Sequence, residues 1–135
     1  MRFDYTRFDS SRLRPLVDVV VRYGGREASY VLLVDSGADI NVFSGELARE
    51  LGITLEDGEM LDVRAATGDE AVPWRHPVTI TVGGHAVPVL AAFGEAEHLE
   101  AVGLAGQEGL FDQFRVTFDR CASIFELDPY VEAAG

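Results

Sequence analysis

The chain has 135 residues, one domain's worth and enough to bury a core without covalent staples. An apolar fraction of 47% with 10% aromatics argues against disorder, and a single cysteine, Cys121, excludes an internal disulfide and a cysteine-rich zinc site. Formal net charge is −12 and every basic residue is an arginine; so acidic a body disfavours nucleic acid and anionic membranes as partners.

Fourteen glycines and five prolines point to many turns, hence a mainly β protein. The opening MRFDYTRFDS lacks the apolar core of a signal peptide and reads as part of an N-terminal arm, residues 1–15, with isolated aromatics. Six arginines (Arg2, Arg7, Arg12, Arg14, Arg22 and Arg26) fall in the first 26 residues, a basic segment suited to packing on the acidic remainder or on a second copy. From Leu16, LVDVVVRY predicts a strand, GGRE a turn, and ASYVLLV the returning strand of a hairpin. After DSGAD comes a short β-branched and apolar run, INVF; Ser44 then caps a helix through GELARELG, with Glu46 in its first turn and Gly52 as its stop.

MLDVRAA is a strand candidate, followed by TGDE and by AVPWRHPVTITV, where Val78, Ile80 and Val82 alternate with threonines. AVPVLAAF continues as a strand in which Pro88 suggests a sheet edge; it is too short to span a bilayer, and with no leader in sight the expectation is a cytoplasmic protein. GEAEHLEAV is a weakly helical or irregular connection, GLAGQEGLFDQF holds a turn and a short helix, and FRVTFD with SIFEL makes a last hairpin around RCA. The whole gives about seven strands and two short helices, a small β-rich domain over residues 16–128 with a C-terminal tail at 129–135.

One residue stands out. In VLLVDSGADINVF an apolar strand ends on a carboxylate, Asp35. Such a carboxylate caps a turn, pairs with an arginine or does chemistry, and Asp-Ser-Gly by itself is ordinary turn composition. Its context is more specific: a hairpin leads into it, an apolar run and a helix leave it, and about seventy residues further on comes a strand, GLAG, a short helix and another strand. The combination resembles the retropepsin-like aspartic protease family, from about Leu16 to Leu127. Its two carriers are LLVDSGADINVFS and GLAGQEGLFDQFRVTFD, and AATGDEA sits where that family has a mobile flap tip.

The resemblance implies a small, closed, barrel-like β fold with a flap hairpin, and aspartic peptidase activity in which two carboxylates share one proton, one acting on a water and the other on the peptide carbonyl. Only one Asp-Ser-Gly occurs in the chain. The second carboxylate is therefore expected from Asp35 of a second copy, in a two-fold homodimer acting on peptide or protein substrates. Gly37 would give two backbones room to approach, and Ser36 would bond across the dimer. Ala38 and Asp39 match cleft positions, Asp39 as a ligand of a peptide amide or else as a turn residue or arginine partner. Thr67 and Gly68 match the flap tip, and Trp74 falls on the returning flap strand as a core or interface aromatic.

One position departs from the family: Gln107 stands where an arginine usually follows the Gly of the second motif, and it supplies no charge. Either Arg12 or Arg14 takes over, or the dimer is weaker; a non-catalytic peptide-binding or dimerisation module is the alternative reading. His76, His85 and His98 are too scattered for a metal motif, and neither metal nor cofactor is expected.

Overall fold

The computed structural model describes residues 1–7, 12–60, 74–95, 99 and 101–130. Strands β1 (Arg2–Asp4), β2 (Leu16–Tyr23), β3 (Arg26–Val34), β4 (Asn41–Ser44), β5 (Glu59–Met60), β6 (Trp74–Val82), β7 (His85–Gly94), β8 (Val102–Ala105), β9 (Phe114–Asp119) and β10 (Ile124–Pro129) are joined by helices α1 (Gly45–Glu50) and α2 (Leu110–Gln113) and by a 3-10 turn at Leu55–Asp57.

The hairpin expected around Gly24 and Gly25 is β2–β3, in register from Leu16 opposite Leu33 to Tyr23 opposite Arg26. Period-two patterning sets which way these strands face. Val17, Val19 and Val21 of β2 point inward, as do Tyr30, Leu32 and Val34 of β3 and Val78, Ile80 and Val82 of β6. The strands run in the order β2-β3-β8-β4-β7-β6, and pairing of Val20, Val21 and Arg22 with Thr81, Ile80 and Thr79 returns β6 to β2. Six strands thus close into a barrel, which removes open edges from the sheet that holds the core. Phe43 and Phe93 meet edge to face inside it, ring centroids 6.0 Å apart, and Tyr30 meets Phe43 at 5.5 Å.

Within the barrel β3 runs parallel to β8, and β4 runs parallel to β7 while touching β8 antiparallel at Val42 and Leu104. This crossed arrangement brings the chain after β3 against the chain after β8. A second, three-stranded antiparallel sheet has β10 between β1 and β9, with Phe3 stacked on the buried Phe125 at 5.3 Å. The first residues of the expected arm are therefore strand β1, paired as Arg2–Glu126, Phe3–Phe125 and Asp4–Ile124.

Local expectations fare differently by element. At α1 the Ser44 side chain accepts from the Glu46 N–H at 3.1 Å, with Glu46 in the first turn and Arg49 in the last. Gly52 ends it at φ +74°, a backbone conformation that disfavours any Cβ. Pro88 lies on a strand with neighbours on both sides, β4 and β6, so β7 as a whole is not an edge. Yet β4 pairs only from Ala91 onward, and Pro88 falls in the half of β7 bordered by β6 alone, so its missing N–H breaks no ladder on the other side. The MLDVRAA candidate lies outside the described residues except for Met60, in β5, and no helix among the described residues is long and apolar enough to cross a membrane.

Tyr30 ties the barrel to α1. Its hydroxyl donates to Leu99 O and accepts from Ser44 N–H at 3.0 Å, and its ring fills the space a side chain at Gly103 would need. Burial pushes the phenol upward, the Ser44 bond working weakly the other way. A phenol raised in the folded state contributes stability below the unfolded pKa, about 10, which is lost as pH climbs beyond it. Tyr30→Phe should cost about 1–3 kcal/mol by urea unfolding at neutral pH, because both partners are left buried and unpaired. It should also remove that part of the alkaline destabilisation; a variant as stable as the parent would show that the two bonds contribute nothing net.

Candidate active site

Asp35 follows Val34, the last residue of β3, and is half-buried. Its N–H donates to Ala105 O at 3.0 Å, so the end of β8 fixes where the strand stops. The chain then reverses: Ala38 N–H donates to Asp35 O at 3.1 Å, and Gly37 N–H donates to Asp35 Oδ1 at 2.9 Å. That last bond pins one carboxylate oxygen and leaves Oδ2 available. A Cβ on Gly37 would stand 3.2 Å from Oδ1, so glycine keeps the crowded side of the carboxylate clear. Ser36 and Gly37 are exposed at the tip of the turn, Ala38 is half-buried and Asp39 is exposed. These five expected residues therefore form one loop, whereas Thr67 and Gly68 lie outside the described residues.

The loop hangs on the turn between β8 and α2. Gln107 N–H donates to Ala38 O at 2.9 Å and Glu108 N–H to Asp39 O at 2.8 Å, with Ile40 and Glu108 forming an isolated parallel bridge. The Gln107 side chain, noted in the sequence only for its missing charge, donates through Nε2 to Ser36 O at 2.9 Å. Where a guanidinium would seek a carboxylate, this amide holds a backbone carbonyl of its own chain. Among the described residues no ion pair reaches Asp35 or Asp39. Arg14, one of the two arginines considered as a substitute, is exposed and pairs through its backbone with Thr6.

Sequence reading missed Asn41. It sits at the start of β4, fully buried, and was absorbed into an apolar run. Its Oδ1 accepts from Gly106 N–H at 2.8 Å and Leu110 N–H at 3.3 Å, while Nδ2 donates to Leu90 O at 3.1 Å. The available signal was an amide inside a run, INVF, otherwise made of Ile, Val and Phe, since a buried polar side chain needs partners.

A pocket of about 380 Å³ is lined in part by Glu108 and Gly109 of the same turn, with Pro77, Pro88, Leu90 and Asp112; Asp35 is not among its lining residues. Among the described residues no group of three or more His, Cys, Asp or Glu side chains is arranged to hold a metal ion.

The closed barrel with crossed parallel pairs, carrying an Asp-Ser-Gly-Ala-Asp loop at the end of β3, defines the retropepsin-like class of aspartic protease fold. Residues 19–108 match the aspartyl protease family, and the chain belongs to it, as a retropepsin-like member. Among solved structures, a retropepsin-like aspartic protease from Rickettsia conorii is similar in fold, with a TM-score of 0.59 at 14% identity over 94% of this chain and 89% of that one. No curated protein matches the sequence.

Proposed function

We propose that the protein is an aspartic endopeptidase that works as a homodimer, each chain contributing Asp35. The observation that carries this reading is the loop itself: a half-buried carboxylate at a strand end, one oxygen held by the Gly37 N–H, in a family member with a single such motif. Two Asp35 side chains facing each other across a two-fold axis would share one proton, because two adjacent carboxylates do not ionise together readily. The ionised carboxylate removes a proton from a water whose oxygen attacks the peptide carbonyl carbon. The protonated one gives its proton to the carbonyl oxygen. The tetrahedral intermediate then collapses: the C–N bond breaks, the amine leaves with the proton of the protonated carboxylate, and a hydroxyl of the intermediate returns one to the other, so one carboxylate proton remains shared.

The chain carries a formal net charge of −12, and negative potential favours proton uptake. Cleavage is therefore expected from mildly acidic towards neutral pH, with acidic peptides disfavoured. A fluorogenic peptide library screened across that range should yield reproducible cleavage blocked by a hydroxyl-bearing transition-state mimic; a profile peaking in alkali contradicts the charge argument. The neutral Gln107 favours a second reading, a dimerising or peptide-binding module without catalysis. Binding of library peptides with no cleavage at any pH would support that reading instead.

A further inference from the structure

The Asp35 loop makes few bonds of its own to the barrel. Asp35 N–H reaches Ala105 O, and the remaining anchors all come from one turn: Gln107 N–H to Ala38 O, Glu108 N–H to Asp39 O, and Gln107 Nε2 to Ser36 O. The position of the carboxylate thus depends on the position of residues 106–110. That turn is in turn fixed from inside by Asn41, whose three hydrogen bonds join it to Leu90 on β7. Close packing removes the alternatives. A Cβ on Gly109 would overlap the Asn41 amide, and one on Gly106 would overlap Ile40 O and come within 2.8 Å of Ala38 O. A buried amide that joins three backbone groups rigidifies them, because the two buried N–H donors it accepts from have no water to turn to.

We propose that Asn41 is a positioning residue for Asp35, acting through the 106–110 turn and the Gln107 side chain without touching substrate. This rests on the reading of Asp35 as the catalytic carboxylate. Loss of the Asn41 amide leaves Gly106 N–H and Leu110 N–H buried and unpaired and takes a donor from Leu90 O; the turn shifts to find partners, and the loop shifts with it. A misplacement of about 1 Å costs about 10²-fold in rate.

The test compares Asn41→Val with Asn41→Thr, nearly the same shape and differing by a hydroxyl that accepts and donates, together with Gln107→Ala, which alters only an exposed side chain. Rates are measured on the best-cleaved peptide of the fluorogenic library, with thermal melts alongside. Asn41→Val is expected to lower kcat by about 10²-fold with KM little changed, Asn41→Thr to recover roughly tenfold of that, and Gln107→Ala to lower kcat several-fold at unchanged Tm. Equal kcat in the Val and Thr variants, or wild-type kcat in Gln107→Ala, overturns the proposal. Should neither Asn41 variant fold, Gln107→Ala decides alone. Asp35→Asn separates the two readings: if it cleaves like the parent, the catalytic assignment fails; if it is inactive while the Asn41 and Gln107 variants match the parent, only the positioning role fails.

Discussion

Asp35→Asn should abolish peptide cleavage, lowering kcat/KM by on the order of 10⁴-fold or more, the scale seen when a residue of a concerted catalytic set is removed. The substitution is isosteric. The amide oxygen still accepts from Gly37 N–H, the backbone bonds to Ala105 and from Ala38 are untouched, and the side chain remains half-buried. Folding stability should therefore move by less than about 1 kcal/mol. What disappears is the capacity to take a proton from water and return it, and in a symmetric dimer one substitution deletes both carboxylates. Peptide hydrolysis and urea unfolding measured on the same preparation separate chemistry from structure. Undiminished turnover in this variant would remove Asp35 from the mechanism; loss of turnover with loss of cooperative unfolding would make it a structural residue.

What the sequence disclosed and what it concealed divide by the range of the interaction. The β2–β3 hairpin, the alternation of β6, the Ser44 cap and the last hairpin all follow from residues a few positions apart, and all are present. The Asp35 loop was legible because a short, unusual string carries it. Pairings set by distant segments were not. Nothing local announces that β3 lies parallel to β8, or that the three-residue β1 joins β10 at the far end of the chain. Pro88 shows the limit of a correct rule: proline does need a side without a partner, but that side is half of one strand, created where β4 stops short. Asn41 and Gln107 show another limit. Their meaning lies in which backbone groups they reach, and the separation of 65 positions from Asn41 to Gly106 is closed only by the fold.

Dependence on a second copy should appear in the kinetics as loss of activity per chain on dilution. With one Asp-Ser-Gly per chain, an isolated protomer holds a carboxylate without a partner to share its proton. Far below the dimer dissociation constant, a tenfold dilution should lower the rate per chain by about tenfold, since active dimer then scales with the square of concentration. Gln107 makes this regime accessible: its amide is spent on Ser36 O of its own chain and adds no charge to hold a neighbour. Mixing gives an independent measure. Asp35→Asn protomers keep the surface of the loop, so once chains exchange, a tenfold excess of the variant should leave most wild-type chains in one-carboxylate pairs. Activity per wild-type chain should then fall by about tenfold. Activity indifferent both to dilution and to added Asp35→Asn would mean that the second acid comes from the same chain. In that case the search would move to Asp39 in the loop and Glu108 in the turn that holds it, whose backbones are already joined by a 2.8 Å hydrogen bond.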